Sequence, residues 1–146
     1  MKRAAAVLLL LSASLATGRG AWAAGNEERA QLQYLQHCSG CHLVDGSGSP
    51  TKGIPSMRGA LGKFLLVPGG REFIVQVPGV MNSALRDADI ANLMNWLLPA
   101  VSSETIPAGF QPYTPQEIAR LRTSRPADVM AVRANLVGKM PGGALP

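Results

Sequence analysis

The chain has 146 residues and a formal charge of +5, with two cysteines, two histidines and only 5% aromatic residues. Those totals allow one small domain with extensions; they exclude a large multidomain enzyme, a polytopic membrane protein and a disulfide-rich scaffold. The 16 glycines and 11 prolines predict long stretches of turn and loop.

Met1-Lys2-Arg3 makes a basic start, the apolar run Ala4 to Leu15 follows, and Ala21-Trp22-Ala23 places small residues at a cleavage position. That order predicts a secretory signal peptide over 1–23, hence an exported, periplasmic protein. The run of about 12 residues falls short of the roughly 20 needed to cross a bilayer, so no stable membrane span is expected after processing. Losing Lys2, Arg3 and Arg19 leaves 11 basic against 9 acidic residues, a net +2. No dense Lys/Arg run with interleaved aromatics occurs, which argues against nucleic-acid binding.

A helix is predicted over Glu27 to Gln36, with Asn26 as N-cap and two acids in its first turn. Ala30, Tyr34 and Cys38 share one face of it. The string His37-Cys38-Ser39-Gly40-Cys41-His42 follows. Three chemistries suit it. A thioredoxin-like redox pair lacks the expected βαβ surroundings and is followed directly by a histidine; a simple disulfide, usual for two cysteines in an oxidising compartment, stays open. A zinc site would crowd four ligands into six residues, where tetrahedral sites draw on separated pairs. The third is C-x-x-C-H, the covalent attachment signal of a c-type haem: two thiols on one helical turn reach the two vinyl groups, and His42 lies under the iron.

Beyond the motif, Leu43 to Met81 reads as glycine- and proline-rich loop with one short helix near Gly62 to Leu66. A second long helix is expected from Asp87 to Leu98, with Ile90, Leu93, Met94 and Leu97 on one stripe, Trp96 beside them, and Pro99 as its stop. In the tail, Thr114-Pro115-Gln116-Glu117 has the form of a capping box starting a short helix through Ile118, Leu121 and Arg122. Another helix is expected over Ala127 to Val137, with Val129, Val132 and Leu136 inward and Gly138 as its stop. This tail either covers a core too small to seal itself or serves as a docking arm.

With these elements in place, the chain resembles the class I (monohaem) bacterial c-type cytochromes over about residues 26–98. Ala30 and Tyr34 stand eight and four positions before Cys38, where that family places a small residue and an aromatic that pack against a late aromatic of the last helix, here Trp96. Gly53-Ile54-Pro55-Ser56-Met57-Arg58-Gly59 resembles the loop whose proline carbonyl receives a hydrogen bond from the proximal histidine. The stretch Arg71 to Val80 is similar to small periplasmic cytochromes that partner quinoprotein or amine dehydrogenases. The resemblance implies a mostly α cytochrome c fold around one covalently bound haem c, with a haem domain over 24–99 and a helical C-terminal extension over 100–146. It further implies thioether bonds from Cys38 and Cys41, His42 as proximal iron ligand, Pro55 as its hydrogen-bond acceptor, and Met81 as distal ligand.

Met57 and an open, water-bound iron are the alternatives for the sixth position; Met94 reads as core, and Met130 and Met140 as tail residues. His37, directly before Cys38, reads as a surface residue. Function is then expected to be periplasmic one-electron transfer rather than enzymatic catalysis, since no further histidine, cysteine or carboxylate pair offers machinery. The expected partners are redox proteins: a dehydrogenase donor and an oxidase or cytochrome acceptor, met by a monomer. Two alternatives stay open, a haem-based catalyst or gas sensor with a vacant sixth site, and a cytochrome subunit held in a dehydrogenase complex.

Overall fold

A computed structural model describes residues 18–141 and 145. Its helices are α1 (Gly18–His37), α2 (Ser39–His42), α3 (Gly70–Gln76), α4 (Pro78–Met81), α5 (Asp87–Ser102), α6 (Pro115–Leu121) and α7 (Val129–Gly138). Single 3₁₀ segments lie at Pro50–Lys52, Leu61–Leu66 and Ser103–Thr105. No strand occurs among the described residues; one isolated antiparallel bridge joins Ser49 and Ile54. The mostly α architecture is as expected.

Helix α1 starts upstream of its expected boundary, so Asn26 is an interior residue and not an N-cap. No proline interrupts the preceding segment, and Ala21, Ala23 and Ala24 favour continuation once a helix is nucleated. The expected leader lies, through residue 17, outside the described residues. On the buried face of α1, Ala30 and Tyr34 are shielded from solvent, and Tyr34 meets Trp96 of α5 with ring centroids 5.8 Å apart. Polar contacts tie the same two helices at their other end. Arg29 pairs with Asp89 at 2.9 Å, and Asn92 Nδ2 donates to the Asn26 carbonyl at 2.7 Å.

Helix α5 buries the predicted stripe Ile90, Leu93, Met94 and Leu97, together with Leu98 and Ser102. It does not stop at Pro99. Proline removes one i→i−4 bond, but the turn beyond it is anchored from outside: Gly59 N donates to the Val101 carbonyl at 2.8 Å, and Ser102 Oγ donates to the Met57 carbonyl at 3.3 Å. Helices α3 and α4 stand where the sequence suggests loop. The run Phe73-Ile74-Val75 is a poor helix former by propensity, yet all three side chains are buried in the core. Tertiary burial overrides the local preference.

The tail belongs to that same core. Tyr113, Ile118, Leu121, Leu136 and Met140 are buried in one cluster with Tyr34, Phe73 and the α5 stripe. Thr114 Oγ1 accepts from Glu117 N as a cap, but the Glu117 carboxylate turns to Arg71, at 2.7 and 2.8 Å, instead of closing the box. Arg71 also lies 4.0 Å over the Tyr113 ring. Asp128 caps α7; of its expected inward residues Leu136 is buried and Val129 packs against the core, while Val132 is exposed. Val129 and Leu136 thus touch the core from the two ends of α7, while Val132 lies on its outer face.

Candidate functional site

The end of α1 and the start of α2 form one nearly continuous helical path. Cys38 N donates to the Tyr34 carbonyl at 2.9 Å, Cys41 N and His42 N both donate to the Cys38 carbonyl at 3.1 and 2.9 Å, and Leu43 N donates to the Ser39 carbonyl at 2.9 Å. Both thiols and the imidazole are therefore borne by a single turn. Cys38 and Cys41 are free thiols, the first half-buried and the second exposed. Burial pushes the Cys38 thiol up in pKa, with Cys41 adding to the effect. His37 is exposed, as expected of a surface residue.

After His42 the chain must turn sharply, and Leu43 does so at φ 60, ψ 168. That region is normally reserved for glycine. The Tyr34 hydroxyl holds it, donating to the Leu43 carbonyl at 2.6 Å; burial drives the Tyr34 pKa up to about 12, so the hydroxyl stays a donor. The next loop is closed by Gly48, whose amide donates to the His42 carbonyl at 3.0 Å. Gly48 adopts φ +73, and a Cβ there would stand 2.6 Å from both the Ile54 and Pro55 carbonyl oxygens. Glycine is what lets the Pro55 segment close on the turn that carries His42.

The His42 ring has a buried Nδ1 that lacks an ordinary hydrogen-bond partner. Its pKa is lowered, chiefly by burial, with the nearby Pro55 carbonyl opposing that shift. Burial thus disfavours the charged imidazolium, and the neutral ring is the form that ligates a metal. An orphaned Nδ1 beside a carbonyl, with two unbonded thiols on the same turn, fits a c-type haem. No group of three or more His, Cys, Asp or Glu side chains suited to a metal ion occurs among the described residues, so the zinc alternative finds no ligand set there. Leu43 and Val44 follow the motif with large exposed apolar surfaces.

The methionines separate by environment. Met94 and Met140 are core residues, Met140 more firmly than its place in the tail suggests. Met57 packs against the core, and its backbone is held by Gly46 and Leu61 at 2.9 and 3.0 Å. Met130 is 69% exposed. Met81, at the end of α4, is half-buried and stands outside the packed cluster. The loop after it is bound by Arg122 of the tail, through the carbonyls of Met81, Ser83 and Leu85. In the sequence Arg122 reads only as part of an amphipathic turn and of the basic excess. No short-range signal marks it, nor Gly48 or the turn at Leu43.

Among curated proteins, the chain is 31% identical to a "Cytochrome c-552" of Thermus thermophilus over 156 aligned positions, covering 93% of this chain and 98% of that protein. It is 32% identical over 123 positions to a second "Cytochrome c-552" of Thermus thermophilus, covering 70% of this chain and 92% of that one. No family model matches the chain.

Proposed function

This chain belongs to the c-type cytochromes, and from that membership we propose that it is an exported electron carrier holding a single, covalently attached haem c. When bound, that haem supplies a one-electron ferric/ferrous couple. One observation carries the assignment: a single helical turn presents the Cys38 and Cys41 thiols and a His42 whose buried Nδ1 lies beside the Pro55 carbonyl.

In this reading Cys38 and Cys41 form the thioethers and His42 is the proximal ligand. Pro55 accepts from Nδ1, which fixes the ring and raises its basicity. Tyr34 and Trp96 hold α1 and α5 together behind the site. Met81 supplies the distal ligand; a thioether there raises the potential and closes the iron to small molecules. The partial burial of Met81 outside the core supports it over Met57, whose side chain is committed to packing. The basic start, apolar run and Ala21-Trp22-Ala23 support export to the periplasm, and no described helix is long and apolar enough to cross a membrane. Donor and acceptor are then periplasmic redox proteins, a dehydrogenase upstream and an oxidase or cytochrome downstream.

Absorption spectra of the protein matured with haem-attachment machinery test this. The expected result is one haem per chain that survives acid–acetone extraction, with a ferric sulfur-to-iron charge-transfer band and no ready binding of CO to the reduced form. Extractable haem would overturn covalent attachment, and ready CO binding would replace the carrier by an open-site catalyst or sensor.

A further inference from the structure

The tail reaches into the loop that follows Met81. Arg122, at the C-terminal end of α6, has a side chain only 21% exposed. Its Nη1 donates to the Leu85 carbonyl at 3.1 Å and to Asp87 Oδ1 at 2.8 Å. Its Nη2 donates to the carbonyls of Met81 at 3.3 Å and Ser83 at 2.8 Å. One guanidinium thus gathers three alternate carbonyls and the first acid of α5, across 35 to 41 residues of chain. The flanking turn adds two further ties. Arg125 Nη2 donates to Asn82 Oδ1 at 3.0 Å, and Gln76 Nε2 donates to Ser124 Oγ at 2.9 Å and to the Leu121 carbonyl at 3.3 Å.

We propose that Arg122 is a positioning residue for the sixth iron ligand: the C-terminal extension fixes the backbone from Met81 to Leu85 and thereby holds the Met81 thioether in place. This rests on Met81 being that ligand. The physical case is a mismatch between ligand and loop. A thioether is neutral and a weak lone-pair donor, so its retention depends on how rarely its segment opens. Residues 82–86 contain no helix; Asn82 N closes α4 on the Pro78 carbonyl and the Arg86 carbonyl starts α5 by accepting from Asp89 N and Ile90 N, but between these ends the local bonds are few, Ser83 N to the Val80 carbonyl and Leu85 N to Ser83 Oγ. Segments with sparse internal bonding open locally, without global unfolding. Arg122 supplies charge-assisted donors, roughly twice as strong as neutral ones, in a planar fork that lysine cannot reproduce. A merely structural anchor already exists elsewhere in the extension, the Arg71–Glu117 pair, which touches no residue of the Met81 loop.

The test compares holoprotein variants Arg122→Ala, Arg122→Lys, Glu117→Gln and Met81→Ala by three readouts: the ferric sulfur-to-iron band, the rate of imidazole binding to ferric protein well below the unfolding temperature, and thermal unfolding. Arg122→Ala is expected to bind imidazole about tenfold faster or more, given the strength of charge-assisted bonds, with the band weakened; Arg122→Lys should fall between it and the parent. Glu117→Gln should lower the unfolding temperature while keeping the parent band and rate. An unchanged band and rate in Arg122→Ala would overturn the proposal, as would a Glu117→Gln rate that matches it. Should Arg122→Ala fail to mature, Arg122→Lys decides: parent-like exchange overturns, faster exchange supports. Met81→Ala separates the two claims. If it keeps the band, the ligand reading falls and this proposal with it; if it loses the band while the Arg122 variants behave as the parent, this proposal alone falls.

Discussion

The Tyr34 hydroxyl donates to the carbonyl of Leu43 at 2.6 Å, and in doing so it joins the last turn of α1 to the strained residue directly after His42. Leu43 has φ 60, a conformation that costs a side-chain-bearing residue about 1–3 kcal/mol. Strain at that point keeps the chain turning back beneath His42, so that Gly48 and Pro55 close on it. Tyr34 therefore does two jobs: its ring packs on Trp96 and its oxygen stabilises the turn.

Tyr34→Phe keeps the ring and removes the donor. We expect a loss of about 1–2 kcal/mol of stability, the value of one partly buried hydrogen bond whose acceptor is left dry. Leu43→Gly in that background should recover part of the loss, because glycine adopts this conformation freely. Denaturant unfolding of the holoproteins measures both; a Tyr34→Phe variant as stable as the parent would show that the hydroxyl carries nothing.

Gly48→Ala sets a Cβ against the Ile54 and Pro55 carbonyls and forces a positive φ on alanine. The expected cost is about 1–3 kcal/mol. Moving the Pro55 carbonyl off the His42 ring should lower the basicity of the ligand, which favours the reduced state, so the midpoint potential should rise. A potential titration reads the direction, and a fall in potential would show that Pro55 does not act on His42.

Asp89 is a buried carboxylate bonded to Arg86 at 2.9 Å and to Arg29 at 3.0 Å. The Arg86 guanidinium, with help from Gln33 and Arg29, holds its pKa below the ordinary carboxylate value. A carboxylate whose folded pKa is depressed binds its proton more readily when unfolded. Its stabilisation is therefore complete above the unfolded value, near 3.8, and fades as pH falls through the lower folded value. Asp89→Asn should cost about 2 kcal/mol at neutral pH, as expected for charged hydrogen bonds. The gap to the parent should then close in acid. A gap independent of pH down to the end of the transition would contradict the ion-pair account.

Arg71 forms a two-pronged bond to Glu117, stacks on Tyr113, and donates from Nη1 to the Gln111 carbonyl at 2.8 Å. Arg71→Lys keeps the charge but loses the fork and the flat stacking face. We expect about 1–2 kcal/mol of destabilisation, measured by denaturant unfolding, with the visible spectrum unchanged because the pair lies away from the Met81 loop. A variant of parental stability would mean that charge alone secures the extension.

What was legible in the sequence was local. The spacing of Cys38, Cys41 and His42 is set by a single turn, and the faces bearing Ala30 and Tyr34, or Ile90, Leu93, Met94 and Leu97, follow from helical periodicity within one segment. The cap at Thr114 likewise needs only the four residues from Thr114 to Glu117. Tertiary structure decided everything that depended on a partner far along the chain. Phe73 to Val75 form a helix because the core buries them, α5 passes Pro99 because Gly59 and Ser102 anchor its last turn, and Glu117 leaves its own cap for Arg71. The extension, which composition presented as a mildly basic tail, became part of the core and a brace on the Met81 loop. Arginine has several donors but no preferred distance along the chain, so only the fold could determine that Arg122 spends them on the carbonyls of Met81, Ser83 and Leu85.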